Sequence, residues 1–69
     1  MAKTEMSIKI GKRLVLLRGV RTRTGVAREL GISYGSLCNY ENGLRIPPDD
    51  VKIRIAGYYG KTVQEIFFD

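Results

Sequence analysis

Residues 22–43 contain two short helical patterns that meet at a glycine, and this arrangement constrains the fold more than any other feature. Two helices that cross at a tight bend need a small residue at the crossing, a residue that tolerates positive φ at the bend, and an apolar anchor in the second helix. Ala27, Gly31 and Leu37 supply these three in order. Each is common alone, but their mutual spacing predicts a helix-turn-helix.

The length of the chain predicts one small domain. A chain of 69 residues hides only about 60% of its unfolded-state surface on folding, so its core must be compact. We expect a flexible N-terminus over residues 1–6 and a single helix-turn-helix domain over residues 7–69.

The inventory of reactive side chains argues against catalysis. The chain has no histidine and one cysteine, Cys38, and it shows no paired carboxylates or metal-ligand clusters. We therefore expect no enzyme activity, metal site or cofactor, and no small-molecule ligand is evident. A single cysteine excludes an internal disulfide. Because no leader-like run or membrane-length span is present, we expect a cytoplasmic protein with no membrane partner.

Positive charge is concentrated in the first two-thirds of the chain. Residues 1–48 carry nine lysines and arginines against three acids, whereas residues 49–69 carry three against four. A partner lined with phosphates fits this asymmetry, so we expect double-stranded DNA. The alternative is that the cations only make the surface soluble.

Helix-end signals divide the first part of the chain into two predicted helices. The first is expected from an N-cap at Ser7 to about residue 18, where Gly19 stops it. The second is expected from about residue 22 or 23 to residue 30, with Gly31 as a left-handed cap.

Three more helices complete an all-α, five-helix prediction. Ser33 is expected to cap the third, which ends near Asn42, before Gly43. Pro48 is expected at the first position of the fourth helix, because proline suits that position and two aspartates follow it. The sequence TVQE at residues 62–65 matches a capping box and predicts a fifth helix over residues 63–67.

The third helix has two unlike sides. At about 100° per residue, Leu37, Tyr40 and Glu41 fall on an inner, mainly apolar side. The opposite side is small and hydrogen-bonding, with Asn39 at its centre. An inward carboxylate needs a cation or donors, so Glu41 is expected to have a partner.

Three motifs in residues 10–67 make the chain resemble the lambda-repressor-like (Cro/C1, or XRE) helix-turn-helix domains. They are LGIS at residues 30–33, YENG at residues 40–43, and IA at residues 55–56 followed by YG at residues 59–60. The resemblance implies a third helix that enters the DNA major groove, a dimer on a two-fold-related site, and a pair between Arg18 and Glu41. Gly25 departs from the pattern, since a glutamate is common there.

The resemblance also implies which residues contact DNA. The expected base-reading positions are Tyr34, Gly35, Ser36 and Asn39. The expected phosphate contacts are Ser33, Asn42 and Arg45, together with Arg23, which stands where glutamine is typical of the family.

Some of these positions also carry a chemical argument. The Asn39 amide offers one donor and one acceptor, which fit adenine in the major groove; the alternative is a solvated residue. Gly35 has no Cβ and would let the backbone approach DNA. The alternative is that the glycine arose by neutral drift at a position that tolerates substitution. Arg23 opposes the dipole of the second helix, which suggests a phosphate contact rather than a solubilising role. For Cys38 we favour a small residue beside DNA over a redox sensor.

The C-terminal segment is dense in apolar residues for a short helix. Because a chain this small is not expected to bury all of them, we predict a dimer interface at Ile66, Phe67 and Phe68, with folding into the core as the alternative. We expect a sequence-specific transcriptional regulator that acts as a homodimer. The alternative is a helix-turn-helix scaffold that acts by protein contact, as an anti-repressor or an antitoxin.

Overall fold

The computed structural model describes residues 3–68, which form five α-helices with short connections and no strand, as predicted. The helices are α1 (Glu5–Arg18), α2 (Arg23–Leu30), α3 (Tyr34–Glu41), α4 (Asp49–Tyr59) and α5 (Val63–Phe67). None of the helices in this part of the chain combines the length and apolarity needed to cross a membrane.

α1 begins earlier than predicted, so the expected boundary at Ser7 was wrong. Thr4 is the N-cap: its hydroxyl accepts from the Ser7 backbone N–H at 3.0 Å, while the Ser7 hydroxyl accepts from the Thr4 N–H at 2.9 Å. This reciprocal pair is a capping box, which begins α1 at Glu5. Of the segment predicted to be flexible, Met1 and Ala2 lie outside the described residues.

The buried Ser7 hydroxyl has a second role across the fold. It donates to the Gly43 carbonyl at 2.8 Å, which ties the start of α1 to the segment after α3. Gly43 has φ 75° and lies against Ile8, where an added Cβ would stand 3.1 Å from the Ile8 Cα. Close backbone packing therefore holds the start of α1 against the segment that follows α3.

The caps of the other helices follow the local signals, with one shift at α4. Thr22 and Ser33 cap α2 and α3, and Gly31 ends α2 in the left-handed conformation. Pro48 is the N-cap of α4 rather than its first helical residue, because its backbone is extended at ψ 165°. Thr62 begins α5 with the predicted capping box, and hydrogen bonds from Thr62 lower the pKa of Glu65.

α1 and α3 approach each other closely at Gly11. An added Cβ at Gly11 would stand 2.4 Å from the Glu41 carbonyl oxygen and 3.0 Å from that of Tyr40. No side chain fits in that space, so glycine sets the distance between the two helices. The core around this contact draws on all five helices and contains Ile10, Leu14, Val26, Ala27, Leu30, Leu37, Tyr40, Val51, Ile55, Ala56, Ile66 and Phe67.

The expected dimer contacts Ile66 and Phe67 lie in this core instead. Their side chains are 2% and 1% exposed, because α5 packs on both α1 and α4. Phe67 is among the largest fully buried side chains of the chain. Of the predicted interface, only Phe68 retains substantial exposed surface, at 46%.

Candidate nucleic-acid interface

The α2–α3 unit has the geometry that its sequence predicts. Ala27 and Leu37 are buried where the helices meet, and Gly31 makes the bend with φ 74°. The Ile32 N–H donates to the Ala27 carbonyl at 3.0 Å, which closes the end of α2. The Ser33 hydroxyl then accepts from the Ser36 N–H at 3.0 Å and starts α3. These contacts fix the orientation of α3 relative to α2.

The outer side of α3 contains the expected base-reading residues. Tyr34 and Gly35 are exposed, while Ser36 and Asn39 are half-buried. An added Cβ at Gly35 would meet no atom within 4 Å, so this side is open at its N-terminal end. The Ser36 hydroxyl accepts from that of Ser33 at 2.9 Å. The side therefore offers short polar groups on a firmly anchored helix.

Glu41 connects the first three helices through two arginines. Its side chain is 0% exposed; Oε2 accepts from Arg18 Nε at 2.8 Å, and Oε1 accepts from Arg23 Nε at 2.9 Å. The pair with Arg18 is the one that the family resemblance implied. Arg23 as a second partner was missed. Two guanidinium groups give this buried carboxylate the charge compensation that it needs.

The Arg23 side chain is therefore already fixed by its ion pair with Glu41. Hydrogen bonds to Glu41 and Tyr34 raise the pKa of Arg23. Its side chain also lines an open cleft of about 490 Å³ at the N-terminus of α2, together with Arg18, Thr22, Thr24 and Tyr34. A phosphate contact of Arg23 stays a prediction. It would have to form with Arg23 already bound to Glu41.

The other expected phosphate contacts lie at the two ends of α3. Ser33 is exposed at its start, Asn42 is exposed at its C-cap, and Arg45 is exposed in the following loop. The backbone carbonyl of Asn39 accepts from the backbone N–H groups of Leu44 at 2.9 Å and Arg45 at 3.3 Å, which holds this loop against the helix. Polar groups thus flank the outer side of α3 at both ends.

Cys38 is half-buried beside these groups, in the middle of α3. Among residues 3–68, no three histidine, cysteine, aspartate or glutamate side chains are grouped as metal ligands. The polar groups on the site are hydroxyls, amides and guanidinium groups, which suit hydrogen bonding to a nucleic acid.

The sequence matches the model of a helix-turn-helix family over residues 21–66, which spans most of the chain. The chain belongs to the Cro/C1-type helix-turn-helix family. This family consists of DNA-binding regulators, and the matched residues include α2, α3 and the ion pair between Arg23 and Glu41.

Solved structures of other proteins share the fold at low sequence identity. The SOS-response transcriptional repressor LexA of Eubacterium rectale is 18% identical, with a TM-score of 0.89 over 100% of this chain and 76% of that chain. The restriction-modification controller protein C.AhdI of Aeromonas hydrophila is 22% identical, with a TM-score of 0.78 over 88% and 96%. The clp gene regulator ClgR of Corynebacterium glutamicum is 18% identical, with a TM-score of 0.79 over 94% and 71%. No curated protein matches the sequence significantly.

Proposed function

We propose that the protein is a sequence-specific transcriptional regulator that places α3 in the DNA major groove. The observation that carries this proposal is the contrast within α3: Leu37, Tyr40 and Glu41 are buried, while Tyr34 and Gly35 face outward. A helix fixed on one side and open on the other can enter a groove without rearrangement. The net charge of +5 favours a polyanionic partner.

The chemistry of the open side supports base reading by Asn39. A side-chain amide can donate to adenine N7 and accept from adenine N6 at the same time. Gly35 has no side chain to hold the helix away from the base edges. Arg23, Ser33, Asn42 and Arg45 would hold the register by contacting phosphates, which carry no sequence information themselves.

We further propose that two copies bind together on a two-fold-related site. One short recognition helix makes few base contacts, and a dimer places two such helices about 34 Å apart, one turn of DNA. Since Ile66 and Phe67 are buried, Phe68 is the C-terminal residue that we assign to the interface. The Lys52 ammonium lies 5.2 Å from the centre of its ring, so the aromatic side chain is partly fixed.

Selection of bound duplexes from a random library tests the proposed specificity. We expect a recovered consensus with two related half-sites, and retention on heparin at moderate salt. Recovery of unselected sequences together with early elution from heparin would contradict DNA recognition and favour a scaffold that contacts proteins.

Sedimentation with the selected duplex tests the dimer separately. We expect two copies on the duplex for the wild type and weaker pairing for Phe68→Ser. Leu16→Ser is the matched control, because it removes an exposed apolar side chain from α1. One copy per two-half-site duplex would contradict the dimer, and unchanged pairing of Phe68→Ser would place the interface elsewhere.

A further inference from the structure

α4 carries a large apolar side chain and a glycine one turn apart on its exposed side. Ile53 is 65% exposed although it lies in the middle of the helix. Gly57 follows four positions later and is also exposed. An added Cβ at Gly57 would meet no neighbouring group of the described chain within 4 Å. Because residues four apart lie on the same helical side, a protruding side chain stands next to a gap.

The glycine at position 57 has no function within residues 3–68. Glycine is unfavourable in a helix interior, and Gly57 does not have the positive φ that would require it. It also differs from Gly11, where the backbone of α3 leaves no room for a Cβ. A glycine that keeps a gap on an exposed helix therefore indicates close approach by a second molecule.

The spacing of Ile53 and Gly57 makes this side of α4 complementary to a second copy of itself. Two identical helices can cross antiparallel about a two-fold axis that passes midway between these two positions. Ile53 of each copy then lies over Gly57 of the other and fills the gap there. The missing Cβ lets the two helices approach closely at the crossing.

The charges at the two ends of α4 favour the same arrangement. Asp49 is 98% exposed, and its ion pair with Lys52 is long, at 3.7 Å. The exposed Lys61 follows the C-cap of the helix. Asp49 and Lys61 lie equally far from the midpoint, so each Asp49 faces Lys61 of the other copy in an antiparallel pair, whereas a parallel pair would oppose two aspartates. The acids Asp49 and Asp50 disfavour DNA or an anionic membrane as the occupant.

This side of α4 is continuous with the contact proposed for Phe68. Lys52, the residue before Ile53, lies 5.2 Å from the centre of the Phe68 ring. α4 has 11 residues and is about 16 Å long, too short to bury by itself the roughly 800 Å² per partner of a standard interface. Pairing should therefore be weak for the free chain and stronger on a duplex that holds two copies close together.

We propose that α4 forms the centre of the homodimer, with two copies crossing antiparallel and Ile53 of each packed over Gly57 of the other. The inference rests on the dimer in the proposed function and gives it a surface and a register. Neither residue is among the proposed DNA contacts.

Disulfide cross-linking tests the register. In a Cys38→Ser background, chains with Ile53→Cys are mixed with chains with Gly57→Cys and oxidised, both as concentrated free chains and on the selected duplex. A disulfide needs Cα atoms within about 7 Å, so the mixed cross-link should form at least about tenfold faster than either same-position cross-link. Chains with Leu16→Cys in place of Gly57→Cys are the control and should form no mixed cross-link.

Three cross-linking results would overturn the proposal. Equally fast same-position cross-links would contradict the antiparallel register. Equal cross-linking of the Leu16→Cys control would show random collision. No mixed cross-link, free or on the duplex, would assign the α4 surface to a different partner or to none.

Filling the gap should block pairing without unfolding the chain. Gly57→Gln adds an uncharged side chain where the described chain leaves space, and it should weaken pairing at least about tenfold in sedimentation. Leu16→Gln, which changes an exposed residue of α1, should leave pairing unchanged. Equal pairing of Gly57→Gln and the wild type would overturn the proposal.

A charge exchange tests the ends of the helix pair. Asp49→Lys and Lys61→Asp should each weaken pairing about fivefold, and the double variant should recover it. A double variant weaker than both single variants would contradict the antiparallel arrangement. Binding of the same variants to a duplex with one half-site does not require pairing, so its loss would count against DNA binding by α3 rather than against the α4 contact.

Discussion

The two sides of α3 differ in what surrounds their side chains. On the inner side, Leu37 and Tyr40 pack in the core and Glu41 is bound by two arginines. On the outer side, Gly35 has open space beyond it and Asn39 sits among short polar groups. In the proposed function, one helix of eight residues thus separates stability from recognition. Changes on the inner side should affect unfolding, and changes on the outer side should affect what the protein binds.

The largest effect is expected for Leu37→Ala, which leaves a cavity at the α2–α3 contact. Because Leu37 is 1% exposed, we expect the free energy of unfolding to fall by about 2–5 kcal/mol in urea denaturation. The same change at the exposed Leu16 should cost less than about 0.5 kcal/mol. Similar losses for the two variants would break the distinction between inner side and surface.

Glu41→Ala should produce the next largest loss, since it removes the shared partner of Arg18 and Arg23. Both arginines are partly exposed and can turn to water, so we expect a loss of about 1.5–3 kcal/mol rather than the full cost of a stranded buried charge. A double-mutant cycle with Arg23→Ala should show coupling. Strictly additive losses would mean that the Arg23 contact contributes nothing to stability.

Gly11→Ala tests the close approach of α1 to α3. The added methyl group would overlap the Glu41 carbonyl, and the helices must separate to admit it. We expect a loss of about 1–3 kcal/mol, despite the better helix propensity of alanine. A variant as stable as the wild type in thermal unfolding would show that this contact is not tight.

Gly35→Ala is the matched change on the outer side, with the opposite expected sign. Nothing stands within 4 Å of the added Cβ, so alanine should stabilise α3 by about 0.5–1 kcal/mol through its helix propensity. If the absent side chain lets the helix approach DNA, affinity for the selected duplex should fall while stability rises. A rise in both would assign Gly35 no role in recognition.

Much of the helix-turn-helix could be predicted because its signals are local. The caps at Ser33 and Thr62 act on N–H groups three residues away, and the bend at Gly31 depends on one residue's φ. The inward direction of Glu41 followed from helical periodicity alone. Such features lie within one helical turn, so a single sequence contains them.

The missed features depend on residues that are distant in sequence. The close contact of Gly11 involves a carbonyl 30 positions later, and Arg23 at the start of α2 binds Glu41 at the end of α3. Phe67 was misassigned because counting apolar residues does not show how α1 and α4 enclose α5. The start of α1 was missed because Ser7 takes the capping-box place usually held by glutamate or glutamine. The hydrogen bond from Ser7 to the carbonyl of the left-handed Gly43 joins residues 36 positions apart, so no sequence pattern indicated it.

The central claim is that the outer side of α3 reads bases, and two identical substitutions test it most directly. Asn39 lies on that side, whereas Asn42 lies at the helix C-cap among the proposed phosphate contacts. Binding of Asn39→Ala and Asn42→Ala should be measured on the selected duplex and on random duplex at one salt concentration. We predict that Asn39→Ala loses about 1–3 kcal/mol on the selected duplex alone and relaxes one base-pair position per half-site. Asn42→Ala should weaken binding to both duplexes alike. Equal weakening by Asn39→Ala on the two duplexes would contradict base reading by α3.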